Sequence, residues 1–406
     1  TGADPLFADW PNADFHLATN SPCIHAGLYA MWMTGGADLD GEPRLMGPVD
    51  IGADEYTRYH YVTRDGADAN PGTQLSPWGT LQYAVTNAAM FPGDTILVGE
   101  GIYTQAVLFP NNGKNGLTLK GGFNTNDWSW APAAHPTIIR SPTNTSDVLS
   151  MASANHTLMG LTLTGGRHGA YGYSGADSRY SFSHCVITNN AQDGIRTWSN
   201  PCDLLARNCL IARNGQNGIA THQDGGSSYA REIYNCTIAD NGGSGFFDNY
   251  QYGRPIYMYN CIMAYNGYGI NRPGGPALYL ANSCVYGNAT DDFARVDGPN
   301  IVFQPGDMTA HPGFAGGGDY RLQSGSPCAA RGQDLALSGV TDDLDGARRQ
   351  PRYDIGCYQS SLPETPRYPV TYADAAMPDE SGDGTSWATA KKTIGKGKLF
   401  RIIRQD

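Results

Sequence analysis

The chain has 406 residues, a formal net charge of -11, and only 16% charged residues beside 52 glycines and 25 prolines. An acidic surface repels nucleic acid and anionic lipid, which excludes both as principal partners, and no apolar run has the length of a membrane-spanning helix. With 24 tyrosines and 40% hydrophobic residues, the composition favours short strands joined by many turns over helices.

In chain order, residues 1–57 hold Ser21-Pro22-Cys23, Asp38-Leu39-Asp40-Gly41, Arg44 and Asp50-Ile51-Gly52. The same set returns 304 to 305 residues later as Ser326-Pro327-Cys328, Asp343-Leu344-Asp345-Gly346, Arg349 and Asp354-Ile355-Gly356. Closely spaced carboxylates around a Gly turn are hard oxygen ligands, so Asp38, Asp40, Asp50, Asp343, Asp345 and Asp354 are candidate Ca2+ ligands. Arg44 and Arg349 offer the competing reading, an Asp–Arg bridge that locks the turn.

Thr80 to Ala88 reads as a short amphipathic helix, well placed to cover the open end of a strand stack. From Asp94 the strand-like segments begin, and from about Ser183 they repeat closely. His184-Cys185-Val186-Ile187, Asn208-Cys209-Leu210-Ile211, Asn235-Cys236-Thr237-Ile238, Asn260-Cys261-Ile262-Met263 and Ser283-Cys284-Val285 step their cysteines by 24, 27, 25 and 23 residues. Asn190, Asn214, Asn241 and Asn266 each follow a cysteine by five residues, and Asn288 follows Cys284 by four. Gly194-Ile195, Gly218-Ile219, Gly245-Phe246 and Gly269-Ile270 complete the pattern.

A period in the twenties with short β-branched strands and Asn/Gly turns is that of a β-solenoid, with room for roughly nine coils between Asp94 and Gln304. The expected fold is therefore all-β, a parallel β-helix with a short N-terminal capping helix and irregular cap segments. The Cys row should point inward. The Asn row should sit at bends, in left-handed backbone, with its amides bonded to the next coil. The Gly row should mark positive φ or close approach.

The longer repeat divides the chain into the tail of a preceding unit (1–57), the β-helix with its N-terminal cap (58–306), a C-terminal cap element (307–360), and the head of a following unit or an assembly arm (361–406). Trp78-Gly79-Thr80 returns in that head as Trp387-Ala388-Thr389. Lys391 to Asp406 carries six basic residues against one acid, which suits docking on an acidic partner. Head and tail on different copies would meet in a contact that does not close and so builds a fibre. A slice of a longer tandem protein fits the same pattern.

The Asn-Cys coils with their Asn and Gly turns resemble the right-handed parallel β-helix repeat of the pectate-lyase-like superfamily. Gly93-Asp94-Thr95-Ile96-Leu97-Val98, Gly101-Ile102-Tyr103 and Lys120-Gly121-Gly122-Phe123 look like the first coils of bacterial surface β-helix proteins. The Ser-Pro-Cys, Asp-Leu-Asp-Gly, Arg and Asp-Ile-Gly set resembles the choice-of-anchor Q element. These resemblances imply a secreted or cell-surface bacterial protein. They do not fix an activity, because this fold hosts lyases, hydrolases, adhesins and spacers.

Candidate chemistry is sparse. Asp193, Asp240 and Asp248 fall near turns of successive coils, Asp291-Asp292 sits beside another, and His222, Asp224, Arg231 and Glu232 lie around a long insertion. Turn chemistry is the preferred reading of all of them, and no catalytic residue is assigned. Tyr250, Tyr252, Tyr257 and Tyr268 crowd one stretch and are candidates for a glycan platform or an interface. Cys328 and Cys357 flank the second Asp-Leu-Asp-Gly turn and are candidates for pairing in a secreted protein. The expected function is a structural module of an extracellular bacterial assembly whose partner is itself or an adjacent repeat. A carbohydrate-active β-helix enzyme or a glycan-binding adhesin is the alternative.

Overall fold

The computed structural model describes residues 2–360 except 19, 25, 29, 31–32, 34–37, 39–48, 57–58, 88–93, 110–115, 153–154, 174–177, 199–201, 223–229, 250–253, 295–300 and 351. Residues 1–360 form one compact unit and 361–406 a second. The expected head or assembly arm thus lies outside the described residues.

The body of the first unit is a right-handed parallel β-helix. Three parallel sheets of ten, eight and eight strands run along it, and neighbours within a sheet are one coil apart. One coil comprises Ser178–Ser183, Val186–Thr188 and Ile195–Trp198, in the first, second and third sheets. Strand alternation puts every second side chain inside. Leu158, Phe182, Ala206, Ile233, Met258 and Leu280 stack down the first sheet. Leu163, Ile187, Ile211, Ile238, Met263 and Val285 stack down the second. All twelve belong to one buried core. Leu81–Thr86 is the expected helix; Thr80 caps it by accepting from the Tyr83 amide, and Leu81, Ala84 and Val85 close one end of that core.

The ladder Asn residues bond coil to coil. The Asn190, Asn214 and Asn241 side-chain amides each donate to the next Asn Oδ1 at 2.9 Å, and Asn266 donates to Asn288 at 3.1 Å. Left-handed backbone falls elsewhere: at Asn189, Arg213, Asp240 and Tyr265, one residue before the ladder, and at Asn208, Asn235, Asn260 and Asn282, before the second-sheet strands. The ladder Asn is thus a bonded bend, and its neighbour takes the positive φ. The Gly row answers close approach, because a Cβ on Gly218 would lie 2.8 Å from the Gly245 carbonyl oxygen.

The Cys row is inward for four coils only. Cys185, Cys209, Cys236 and Cys261 are core residues. In the last coil Ile262 pairs with Cys284 and Met263 with Val285, so Ser283 takes the inner position and Cys284 faces out. One residue of register turns a side chain to the opposite face.

Residues 307–360 run back along the outer face of the second sheet and so cover a flank of the solenoid. Leu210–Ala212, Thr237–Ala239 and Ile262–Ala264 are in consequence buried throughout. Leu344, Cys357 and Tyr320 pack on Leu210 and Ala239, while Cys328, Ile355 and Leu322 pack on Ile262 and Cys284. Among the described residues no helix is long and apolar enough to cross a membrane.

Candidate functional site

The element that covers this flank is built twice. At the C-terminal copy, Phe314–Gly316 and Asp319–Leu322 form an antiparallel hairpin, and Phe314 meets Tyr320 edge-on at 5.4 Å. At the N-terminal copy, Phe7–Asp9 pairs with Asp14–Leu17, and Phe7 meets Phe15 edge-on at 5.6 Å. Ser326 Oγ donates to the Pro312 carbonyl and Ser21 Oγ to that of Pro5, at 2.6 and 2.5 Å. The Ile355 amide donates to the Cys328 carbonyl and the Ile51 amide to that of Cys23, both at 2.9 Å. Gln359 Oε1 accepts from the Asp354 amide as Glu55 Oε2 does from that of Asp50.

The two copies differ in what faces them. Tyr320 is 6% and Ile355 0% exposed against the flank, whereas Phe15 is 44% and Ile51 52% exposed. Trp10 beside Phe15 is exposed as well. The N-terminal copy therefore presents the apolar face that its twin buries.

Five of the six candidate Ca2+ carboxylates lie in the described residues, and all five serve this frame. Asp343 accepts from the amides of Asp345, Ala347 and Gln359, and Asp354 from those of Ala330 and Ser360. Asp50 accepts from the Tyr56 amide and Asp38 from that of Glu55. Asp345 is paired with Arg321, and Asp40 lies outside the described residues. Backbone amides occupy these oxygens as turn clamps, and among the described residues no three His, Cys, Asp or Glu groups are arranged around a metal position. Arg349 does not bridge to Asp343; it donates to Asn208 Oδ1 and to the carbonyls of Asp342, Gly356 and Cys357, tying the turn to the solenoid.

The other carboxylates do not converge. Asp193 is buried under Asn217 and Arg196, and Asp240 accepts from the Tyr320 hydroxyl. Asp248 is enclosed between Arg231 and Arg272. Asp292 ends the Asn ladder by accepting from Asn288, and Asp291 accepts from the Phe293 amide. Glu232 is paired with Arg179. Asp224 lies outside the described residues.

The tyrosine candidates separate too. Tyr257 stacks on Tyr279 on the outer first sheet and packs beside the cluster of Tyr234, Leu335, Val340 and Tyr353, so it borders the chain's own covering segment. Tyr268 begins a third-sheet strand and is half-buried. Tyr250 and Tyr252 lie outside the described residues. A more continuous aromatic row runs across the outer third sheet, from Tyr171 and Tyr173 to Trp198, His222 and Phe247. Tyr173 and Trp198 are 37% and 44% exposed, and the Arg196 guanidinium lies 4.8 Å over the Trp198 ring. Its signal was present in the sequence: Trp198 and His222 stand four residues after Gly194 and Gly218 of the coil pattern, and Tyr173 stands four after Gly169.

Comparison with known proteins bears on the coils. Residues 138–285 match the family described as a right handed beta helix region. No curated protein matches the sequence. Among solved structures, pectate lyase Pel9A is similar at 16% identity and a TM-score of 0.45, covering 74% of this chain and 96% of that one. Pectin methylesterase from carrot is similar at 12% identity and a TM-score of 0.33, covering 64% and 91%. A lacto-N-biosidase from Eubacterium ramulus aligns at 11% identity and a TM-score of 0.30, covering 62% and 67%. At these identities and TM-scores the likenesses carry no conclusion about activity.

Proposed function

We propose that this chain is a structural module of an extracellular bacterial surface protein or fibre. Its N-terminal element covers the flank of another β-helix unit as residues 307–360 cover the flank of their own. The observation that carries this reading is the exposed apolar face at Phe15 and Ile51, whose twin at Tyr320 and Ile355 is buried on second-sheet strands. The neighbouring unit is either an adjacent repeat of the same chain or a second copy that exchanges its own cover. The resemblance of both elements to choice-of-anchor Q supports the cell-surface setting. Light scattering over a wide concentration range tests the reading: the mass should grow with concentration, and a particle that stays monomeric throughout counts against assembly between copies.

The aromatic row on the third sheet favours a second reading, a surface that binds glycans by stacking. A glycan array and polysaccharide affinity gels test it. Binding that is lost in Trp198→Ala supports it, and a blank array removes it. New reducing ends or unsaturated products on incubation with polysaccharides would favour the enzymatic form of that reading.

A further inference from the structure

Cys284 is the outlier of the cysteine row. It opens Cys284–Tyr286, the terminal strand of the second sheet, and its side chain faces outward. Cys328 comes from the covering segment and lies in the same buried cluster, between Ile262, Leu322 and Ile355. Within that cluster the two thiols perturb one another, Cys328 lowering the pKa of Cys284 and Cys284 raising that of Cys328. Cys284 Sγ–H in turn points at the Ala310 carbonyl oxygen, 3.0 Å away. Both side chains are fully buried, and both are free thiols in this structure. Cys357, the partner expected from the sequence, sits instead in the neighbouring cluster with Leu210 and Ala239, where the Thr237 hydroxyl accepts from its amide.

We propose that Cys284 and Cys328 are an oxidisable pair that closes into a disulfide, fastening the covering segment to the last coil. The placement gives the bond a mechanical sense. The terminal strand of the second sheet has a sheet neighbour on one side, and on the other it is joined by the single bridge between Cys284 and Met308. A link across 44 residues holds strand and cover together where the sheet would otherwise fray. The inward cysteines Cys185, Cys209, Cys236 and Cys261 all belong to the solenoid core, so no bond among them would fasten the covering segment.

The chemistry balances with a disulfide oxidant such as oxidised glutathione. The Cys284 thiolate attacks one oxidant sulfur and expels one glutathione thiolate. The Cys328 thiolate then attacks the Cys284 sulfur and expels the second. Two cysteine protons pass to two leaving thiolates, the protein pair is oxidised by two electrons, and the oxidant is reduced by the same two. The same balance holds if Cys328 makes the first attack. Because both sulfurs are buried, the bond forms while the cover docks during folding.

The test refolds the full chain from denaturant in a mixture of oxidised and reduced glutathione. The product is alkylated under denaturing conditions and its peptides are mapped by mass spectrometry with fragmentation. The expected result is one internal crosslink joining Cys284 to Cys328, two hydrogens lighter, with Cys185, Cys209, Cys236 and Cys261 alkylated. The oxidised chain should melt several degrees above the reduced one. That difference should vanish in Cys328→Ser and persist in Cys357→Ser. Full alkylation of Cys284 and Cys328, or a crosslink of Cys328 to Cys357, overturns the proposal. Mapping the wild-type chain decides the matter even where a variant fails to fold.

Discussion

His156 shows what a single residue contributes to this core. It lies on a first-sheet strand between Phe109 and Tyr180, with ring centroids 4.7 and 6.4 Å away, and neither ring nitrogen has a hydrogen-bond partner. Burial pushes its pKa down to about 4 from an ordinary 6.5. The unfolded chain therefore takes up a proton first as the pH falls. The stability associated with the neutral ring is fully present above 6.5 and is lost as the pH drops toward 4. At pH 5 this is worth about 2 kcal/mol. His156→Phe should flatten the acid limb of the stability curve between pH 6.5 and 4, measured by urea unfolding at a series of pH values; an unchanged slope would contradict the assignment. Asn241 makes a complementary case. Its Oδ1 accepts from the amide and the side chain of Asn214, and its Nδ2 donates to Ile211 and Asn266. Asn241→Leu leaves several buried groups without partners and should lower stability by about 3 kcal/mol, read as a fall in urea midpoint at constant m-value. The Asn ladder was legible in the sequence because its spacing repeats. The left-handed residues beside it were not, since Asn189, Arg213, Asp240 and Tyr265 share a backbone conformation and no side-chain type. His156 was not legible either, because a lone His in a strand gives no sign of which way it faces.

At the scale of the coil, the glycines set how closely one turn lies on the next. Gly218 has ordinary φ, yet a Cβ there would meet Ile238 Cγ2 at 2.4 Å and the Gly245 carbonyl oxygen at 2.8 Å. Stacked coils keep the interstrand spacing of about 4.8 Å, so the backbone can yield little. Gly218→Ala should lower stability by about 2 kcal/mol. Gly274→Ala is the control, because nothing lies within 4 Å of its added methyl. Equal thermal midpoints for the two variants would argue against close approach as the reason for the Gly row. The coil period was readable because each coil repeats its Asn, Cys and Gly at one phase. The last coil slipped that phase by one residue, and the slip sends Cys284 to the outer face. Cysteine identity alone conceals such a slip, since Cys suits an inward position and a covered outward one equally. The flank itself was signalled more quietly. Leu210-Ile211-Ala212 and Ile262-Met263-Ala264 lack the polar alternation of a one-sided strand, and such runs mark strands buried on both faces.

For the whole molecule, the repeat of 304 to 305 residues carried more information than any local motif. It marks two copies of one element, which share a set of hydrogen bonds. Sequence similarity reports a frame and not the surface it packs on, so an end cap and a flank cover look alike in the sequence. The flank contact was beyond reach: it joins Asn208, Asn235 and Asn260 to residues about 70 to 140 positions away, the last two through backbone carbonyls that no side-chain pattern records and Asn208 through the Arg349 guanidinium. The duplication supplies its own internal control. Ile51 and Ile355 hold the same place in the two frames, one half open and one fully buried. Ile355→Asp places a charge against Ile262 and Cys328 and should lower stability by about 3 kcal/mol or more, loosening residues 307–360 from the solenoid. Ile51→Asp should change the stability of the isolated chain by no more than about 0.5 kcal/mol, as for an exposed position, while removing concentration-dependent growth in light scattering. Phe15→Asp should behave as Ile51→Asp does, and Tyr320→Asp as Ile355→Asp does. If Ile51→Asp destabilised the monomer as strongly as Ile355→Asp, the N-terminal face would be part of this chain's own packing. If it left both stability and association unchanged, the exposed face would not be the assembling surface.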